Sequence, residues 1–377
     1  FSNTQLGDIF AAYGVTAMLS YFPGGTIADR YSARGLMTLS LFATGLGGIY
    51  MATFPGELEM ALLYAYWGVT TIFLFWGALI KSTREWGGIL SQGKAFGILD
   101  GGRGLIAAGF AIIAVAVFSS HLPDATLIVN NNRQTGFRFV ILLYSAATLG
   151  AGVITWLVLP KSSDLQKNIV SNPFSSMAIV ARRPIVWAQA GIIICAYCGY
   201  KGLDNYSLYA VQVLGMDEVQ GARFAAYAAY FRPIAALIAG ITADRFSASR
   251  SVLSFFILLS VSYGVLAIAL PNAFWSNIIY GNIFVTFFSV FALRGIYFAL
   301  LQETQTPKAI TGTTVGMVSF VGFTPEIFFA SIAGRILDHS PGVLGHQNYF
   351  KFLGSIMVLG VLVTSALIYI KNREQAV

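Results

Sequence analysis

Hydrophobic residues occur along the chain in blocks of helix length, separated by short polar segments. About 20 apolar residues are needed for a helix to cross a bilayer, and the ten-residue alternating segments of a membrane barrel are absent. The pattern therefore predicts an all-α membrane protein. The membrane-spanning helices are expected at residues 6–28, 35–54, 58–81, 95–119, 137–160, 184–213, 219–242, 251–271, 274–301, 311–336 and 349–370.

Composition supports the same class. Of the 377 residues, 56% are hydrophobic and only 10% are charged, and the mean hydropathy is +0.70. Soluble domains carry about 25% charged residues, so this chain has too few to cover a soluble globule. We therefore expect a multi-pass integral protein of a plasma membrane or a bacterial inner membrane.

The net charge of +7 has a topological source. Lys and Arg residues concentrate in every second connection, beginning with the loop at 28–35, and the intervening connections hold few: Arg133, Arg138, Arg223 and Lys351. Basic residues favour the cytoplasmic side of membrane proteins, which places the loops 28–35 and 161–183 in the cytoplasm. Because the asymmetry accounts for the charge, no nucleic-acid partner is predicted.

One loop sequence occurs twice. Residues 25–35 contain Ala-Asp-Arg, an aromatic residue and Ser-Ala, and residues 240–250 repeat them in the same order. The repeat indicates two similar halves, at 1–160 and 184–377, joined by a cytoplasmic linker at 161–183.

The repeat also indicates a further helix. In the second half a span at 184–213 precedes the helix that leads to the repeated loop, whereas only five residues precede the matching helix in the first half. By symmetry we expect twelve helices in two sets of six, the first lying upstream of this chain. The alternative is a protein of eleven helices with its amino terminus outside.

The first copy, from Gly25 through Asp29 and Arg30 to Arg34, resembles the loop between helices 2 and 3 of the Major Facilitator Superfamily. The second copy resembles the weaker echo of that loop between helices 8 and 9, and helix order and charge placement agree along the whole chain. The resemblance implies a secondary transporter whose two halves rock about a central site. Ser32 and Ala33 depart from the Gly and Arg usual in that loop.

The resemblance also implies a cytoplasmic gate. In the family, the acidic and basic residues of this loop lock the halves together on the cytoplasmic side. Carried over, Asp29 caps the start of helix 11 near Thr311 and Thr313, with Arg84 close by, and Asp244 caps the start of helix 5. The expected gating residues are Asp29, Arg30, Arg34, Arg84, Asp244, Arg245 and Arg250. The alternative is that they are only solvated loop charges.

Seven charged residues lie inside predicted spans: Asp100, Arg103, Lys201, Asp204, Arg232, Arg294 and Glu326. A charge in hydrocarbon costs roughly 2.5–3.5 kcal/mol on insertion scales, so each is expected to face the protein interior or an aqueous cavity. The spans that count as helices 3, 6, 9 and 12 carry none, and in the resembling family these four face lipid. We therefore expect the seven residues to mark the transport path.

Two pairs, Asp100–Arg103 and Lys201–Asp204, have the i,i+3 spacing that lets opposite charges neutralise each other on one helix. Arg232, Arg294 and Glu326 have no such neighbour. Glu326 could pair with one arginine across helices, or exchange a proton. The excess of one base favours a solute that carries carboxylate or phosphate. The polar residues Asn205, Tyr209 and Asn282 complete the predicted binding set.

The sequence thus predicts a secondary transporter of a small polar anionic organic solute that works by alternating access, with a proton or another coupling ion as a further partner. The alternatives are an exporter of amphipathic or cationic compounds, attracted by Asp100, Asp204 and Glu326, and a non-transporting sensor or scaffold. No catalytic constellation, cofactor motif or metal-ligand spacing is present in the sequence. Besides the solute, the predicted partner is the lipid bilayer, with the protein acting as a monomer.

Overall fold

A computed structural model describes residues 3–120, 130–160, 173–216, 220–221, 224, 230–340 and 342–375, and their regular structure is helical. The α-helices are α1 Asn3–Arg30, α2 Ala33–Met51, α3 Glu57–Gly68, α4 Gly77–Gly87, α5 Gln92–Ser120, α6 Asn130–Val158, α7 Pro173–Ala181, α8 Pro184–Gly202, α9 Tyr206–Gln212, α10 Phe231–Phe246, α11 Ala248–Ile268, α12 Ala273–Ile296, α13 Leu300–Glu303, α14 Thr311–Gly322, α15 Pro325–His339 and α16 Val343–Gln375. The π-helical segment Val69–Trp76 joins α3 to α4.

Within the described residues, seven helical stretches are long and apolar enough to cross a membrane: Glu57–Gly87, Gln92–Phe118, Gln134–Val158, Ala248–Ile268, Asn277–Glu303, Lys308–His339 and Val343–Glu374. Each coincides with a predicted span. The spans predicted at 6–28 and 35–54 form α1 and α2. The one at 184–213 is interrupted after Gly202 and continues as α9.

Two predicted segments are described only in part. Of the helix expected at 219–242, the structure describes residues 220–221, 224 and 230–242, and α10 begins at Phe231. Residues 161–172 of the predicted linker lie outside the described residues, and the remainder of the linker holds α7.

The repeated loops end in the same serine cap. After α1, the Oγ of Ser32 accepts a hydrogen bond from the backbone N–H of Gly35 at 3.1 Å, at the start of α2. After α10, the Oγ of Ser247 accepts from the N–H of Arg250 at 3.4 Å, at the start of α11. A serine at this position satisfies one of the N–H groups that a helix start leaves without a partner. The cap gives a physical reason for Ser32 at a loop position where the Major Facilitator Superfamily, which this loop resembles, usually has glycine.

The chain forms two compact units. One comprises Phe1–Ser82, Ile106–Val180 and Pro307–Phe320, and the other comprises Thr83–Leu105, Ala181–Thr306 and Val321–Val377. The units largely follow the expected halves of the sequence. However, each also takes in one short segment, 307–320 or 83–105, from the opposite half.

In the first unit, glycines let the incoming segment lie directly against α1. A Cβ at Gly25 would lie 3.1 Å from the Cα of Gly316 and would collide with the carbonyl group of Gly312. Small residues spaced four apart allow two helix backbones to approach closely in membrane proteins. Gly312 and Gly316 have that spacing, so the start of α14 can pack closely against the end of α1.

The second unit repeats this packing with different helices. A Cβ at Gly240 of α10 would lie 2.9 Å from the carbonyl carbon of Gly93 and 3.3 Å from the Cα of Lys94. One turn further along α5, a Cβ at Gly97 would lie 3.3 Å from the Cα of Gly240. The Gly93–Gly97 spacing matches that of Gly312–Gly316. The sequence repeat is therefore accompanied by a repeated helix contact.

A side chain at Gly240 should disrupt this contact. We expect Gly240→Val to lower the stability of the purified protein by about 1–3 kcal/mol, because the obstructing atoms are backbone and cannot rotate away. The matched control is Gly264→Val in α11, where a Cβ meets no atom within 4 Å. The thermal unfolding midpoints of both variants should be compared in the same detergent, and equal midpoints would contradict the close contact.

Candidate functional site

Asp29, at the end of α1, binds the start of α14. Its Oδ1 accepts a hydrogen bond from the backbone N–H of Gly312 at 2.6 Å, and its Oδ2 accepts from the backbone N–H and hydroxyl of Thr313 at 2.7 and 2.6 Å. A carboxylate at a helix N-terminus satisfies otherwise unbonded N–H groups and interacts favourably with the helix dipole. The carboxylate therefore lies at the helix start to which the loop resemblance assigns it.

Asp244, at the end of α10, makes the equivalent contact in the second unit. Its two carboxylate oxygens accept from the backbone N–H groups of Gly93 at 2.6 Å and Lys94 at 2.9 Å, at the start of α5. Asp244 and Asp29 occupy the same position of the repeated loop. Each unit thus contains one carboxylate that joins the first sequence half to the second.

Arg84 binds backbone carbonyl groups of the second unit. Its side chain is buried, and its Nη2 donates to the carbonyl oxygen of Thr306 at 2.6 Å, to that of Leu301 at 3.3 Å and to the side chain of Gln302 at 3.2 Å. The guanidinium thus satisfies carbonyl groups around the end of α13. Its expected place close to Asp29 stays a prediction.

The other predicted gating residues lie in varied surroundings. The Arg34 guanidinium stacks over the Trp156 ring, 4.2 Å from its centroid. Arg30 is half-buried at the end of α1, whereas Arg245 and Arg250 are exposed. Their role in gating stays a prediction.

Glu303 carries a contact that the sequence reasoning missed. Its carboxylate accepts from the backbone N–H of Ser249 at 2.7 Å and from the Ser249 hydroxyl at 2.5 Å, and it forms an ion pair with Lys371 at 2.5 Å. It thus binds the start of α11 and the end of α16 together. The sequence could have indicated this contact, because Glu303 is an acidic residue at a predicted cytoplasmic helix end where most charged residues are basic.

The main embedded charges form one cluster on α5, α10 and α12 of the second unit. Asp100 accepts from Arg232 through both carboxylate oxygens, at 2.6 Å from Nη2 and 3.1 Å from Nε. The Nε of Arg294 lies 3.7 Å from the same carboxylate. Arg103 interacts electrostatically with Asp100, Arg232 and Arg294. We call these four residues the arginine cluster.

The arginine cluster carries more positive than negative charge in a largely buried setting. One carboxylate faces three guanidinium groups, and the side chains of Asp100, Arg232 and Arg294 are only 8%, 19% and 17% exposed. The Nη1 of Arg294 is buried and has no hydrogen-bond acceptor among the described residues. The cluster therefore has both charge and donor capacity for an anion.

Aromatic and glycine residues shape this cluster. The Arg294 guanidinium lies 3.9 Å from the centroid of the Tyr200 ring and 6.0 Å from that of Tyr197. A Cβ at Gly104 would lie 3.3 Å from the Cδ of Arg232, and the absence of a side chain there leaves room for the arginine. Gly104 therefore makes space for the Arg232 side chain, whereas Gly93 and Gly97 of the same helix allow close helix packing.

A second charged group lies at the break between α8 and α9. Lys201 forms ion pairs with Asp204 at 3.1 Å and with Glu326 at 3.5 Å. The Tyr197 hydroxyl donates to Glu326 at 2.6 Å. The i,i+3 pairing of Lys201 with Asp204 agrees with the sequence, whereas Glu326 pairs with a lysine and a tyrosine rather than with an arginine. We call Lys201, Asp204 and Glu326 the acidic cluster.

The remaining predicted binding residues lie elsewhere. Asn205 donates to the Tyr349 hydroxyl at 3.0 Å, and Asn282 exchanges hydrogen bonds with Ser262, which joins α12 to α11. Tyr209 is buried, with its ring 5.1 Å from that of Phe350. These contacts hold helices together, and the structure does not bring the three residues into either charged cluster.

The predicted span at 349–370 leaves His346 outside the membrane helix, in an outer loop. In the structure His346 lies within α16, is 1% exposed and lies 3.0 Å from the Gln212 side chain, so those bounds were wrong. Its helix begins several residues earlier than the predicted span at 349–370. Across the residues that the structure describes, no group of three or more His, Cys, Asp or Glu side chains is placed to hold a metal ion.

Comparison with known proteins agrees with this architecture. The chain is 29% identical over 385 residues to the inner membrane protein YqcE of Escherichia coli (strain K12), covering 99% of this chain and 88% of that protein. It is 27% identical to the inner membrane protein YihN of the same strain, covering 97% and 87%. The probable nitrate/nitrite antiporter NarK1 of Thermus thermophilus is 26% identical, covering 70% and 58%.

The fold is similar to that of a solved transporter. A crystal structure of the E. coli fucose:proton symporter FucP in the outward conformation superposes with a TM-score of 0.78 and 13% identity, covering 96% of this chain and 91% of FucP. The sequence profile of the Major Facilitator Superfamily matches residues 1–325. The chain therefore belongs to the Major Facilitator Superfamily and is a multi-pass membrane transporter rather than an enzyme.

Proposed function

We propose that this transporter moves a small polar anionic organic solute by alternating access, acting as a monomer and with a proton as the coupling ion. The observation that carries the proposal is the arginine cluster, in which three guanidinium groups face one carboxylate. An excess of buried positive charge is costly unless an anion accompanies it. A bound anion would provide that compensation.

The arginine side chain suits this task. Its planar guanidinium can donate two parallel hydrogen bonds to a carboxylate or phosphate group. Arg294 has a buried N–H group available, and Arg103 is exposed at the edge of the cluster. The name of the relative NarK1 also describes a carrier of anions, nitrate and nitrite.

The two carboxylate caps supply a gate for the same cycle. Asp29 and Asp244 each join a helix end of one sequence half to a helix start of the other, beside backbone contacts that only glycine permits. If the halves separate on the cytoplasmic side, both caps must break. The caps therefore favour the state that is closed to the cytoplasm.

A second candidate function, export of cationic compounds, rests on the acidic cluster. Asp204 and Glu326 are 61% and 56% exposed and share a single lysine, which leaves one negative charge. A cation could bind there, whereas Asp100 is already occupied by Arg232. A ligand screen distinguishes the two functions, because an anion would bind at the arginine cluster and a cation at the acidic cluster.

The first test is a thermal-shift screen of the purified protein with organic acids, sugar phosphates, amino acids and organic cations. We expect an anion to raise the unfolding midpoint of the wild type. Arg232→Ala and Arg294→Ala should each weaken its binding roughly tenfold or more, because a hydrogen bond to a charged group contributes about 1.5–3 kcal/mol. Lys351→Ala is the matched control, since Lys351 is exposed and bonded to Asn348. Stabilisation by cations alone would favour the exporter.

The gate has a reciprocal test. Asp29→Ala should raise hydrogen exchange about fivefold at the amides of residues 312–313, because loss of a helix cap costs about 1 kcal/mol, and should leave residues 93–94 unchanged. Asp244→Ala should do the reverse. Exchange followed by mass spectrometry measures both segments in one sample. Equal increases at both segments would indicate general loosening and contradict two separate caps.

A further inference from the structure

We propose that the arginine cluster and the acidic cluster are the two ends of one binding site, and that its solute is a net anion that also carries an ammonium group. This inference rests on the proposed function, because the anionic end of the solute requires the arginine cluster. It narrows the solute to amino-bearing phosphates and amino-bearing dicarboxylates. It also gives the acidic cluster a use in the transport of an anion.

One tyrosine connects the two clusters. The ring centroid of Tyr197 lies 6.0 Å from the guanidinium carbon of Arg294, and the Tyr197 hydroxyl donates to Glu326 at 2.6 Å. The ring of Tyr200, which packs on the same guanidinium at 3.9 Å, lies 5.7 Å from that of Tyr197. Both clusters belong to the second unit. Because a single side chain contacts both the arginine and the glutamate, one small molecule is long enough to reach both.

The accessible face of α8 carries this tyrosine. Tyr197, Tyr200 and Lys201 keep partial exposure, whereas Cys198 between them is buried. Residues three and four apart lie on the same side of a helix, and Asp204, three residues beyond Lys201, is exposed as well. A helix face that is both accessible and charged in a membrane protein is expected to meet water or a solute rather than lipid.

The two clusters have opposite net charges. In the arginine cluster three guanidinium groups face one carboxylate, which leaves two positive charges. In the acidic cluster two carboxylates share Lys201, which leaves one negative charge. A phosphate monoester carries nearly two negative charges at neutral pH, so a phosphate that also bears one ammonium group compensates both clusters at once. A simple anion or a simple cation compensates one cluster and leaves the other as it was.

Hydrogen-bonding capacity matches the same solute. The Nη1 of Arg294 is a buried donor without an acceptor among the described residues, and it suits a phosphate or carboxylate oxygen. Glu326 lies 3.5 Å from the Nζ of Lys201, a long contact that leaves its carboxylate open to a closer donor. An ammonium group offers three N–H donors and no acceptor. It therefore matches the carboxylates of the acidic cluster and is repelled by the guanidinium groups of the arginine cluster.

The test compares the affinity of the purified protein for pairs of anions that differ by one amino group. The pairs are O-phosphoethanolamine with ethyl phosphate, D-glucosamine 6-phosphate with D-glucose 6-phosphate, and L-glutamate with glutarate. We expect the wild type to bind the amino-bearing member of at least one pair about tenfold more tightly, because hydrogen bonds between charged groups are strong. Isothermal titration calorimetry at neutral pH gives both Kd values, and their ratio measures the amino preference.

Two variants should move this amino preference in opposite directions. Glu326→Gln removes a carboxylate that accepts the ammonium group, so the ratio of the two Kd values should fall to about one. Lys201→Met removes the cation that competes for that carboxylate, so the ratio should rise above that of the wild type. The matched control is Lys351→Ala, at an exposed lysine bonded to Asn348, which should keep the wild-type ratio. A general structural defect would weaken both members of a pair and leave the ratio unchanged.

The contradicting outcomes are distinct. A wild type that binds both members of every pair equally would overturn the inference and leave the anionic function intact. An amino preference that survives in Glu326→Gln would overturn the assignment to the acidic cluster. If neither member of any pair binds, the inference is overturned, whereas the anionic function fails only if the broader thermal-shift screen also yields no anion.

A measurement on the wild type alone covers the case in which Glu326→Gln does not fold. N-acetyl-L-glutamate keeps both carboxylates of L-glutamate but replaces its ammonium group with a neutral amide. We expect it to bind no more tightly than glutarate, because the acidic cluster then has no cation to attract. Binding as tight as that of L-glutamate would overturn the inference.

Discussion

In a membrane protein, embedded charges and the free backbone N–H groups of packed helix starts must find partners within the protein, because neither hydrocarbon nor a close-packed interior offers water. The described structure meets this constraint with carboxylates placed at helix starts or against arginines. Asp29 and Asp244 satisfy the first N–H groups of α14 and α5, and Glu303 does so for α11. Asp100 satisfies Arg232.

Both copies of the duplicated loop satisfy this constraint in the same way. In each unit an aspartate lies in the last turn of a helix, and its carboxylate binds a helix start that carries two glycines spaced four apart. The glycines are needed because the amide groups reach the carboxylate only when the two backbones nearly touch. Each short helix start therefore belongs with the opposite sequence half. In the proposed transport cycle, the contact that satisfies the backbone N–H groups is also the one that must break when the two sequence halves separate.

Much of the fold could be predicted because the apolar blocks of the sequence correspond to the membrane spans. The two capping aspartates were expected because the repeated loop resembles a loop of the family. The charge partners could not be predicted in the same way. Spacing suggested that Asp100 faces Arg103 on its own helix, but the bidentate partner is Arg232, which lies 132 residues away. Glu326 and Arg84 likewise bind groups that only the rotation of neighbouring helices brings near. Helix rotation depends on packing among several helices, which single-helix periodicity does not encode. His346 was misplaced because the start of its helix was set too late.

The arginine cluster is the feature of this transporter that favours an anionic solute. Passage of an anion through the protein is therefore the property to measure. The most direct measurement is uptake of D-gluconate, L-lactate and nitrate by proteoliposomes containing the purified protein, compared with liposomes without protein. We expect uptake of at least one of these anions, and an inward proton gradient should accelerate it. Absence of uptake for every anion, together with transport of an organic cation, would contradict it.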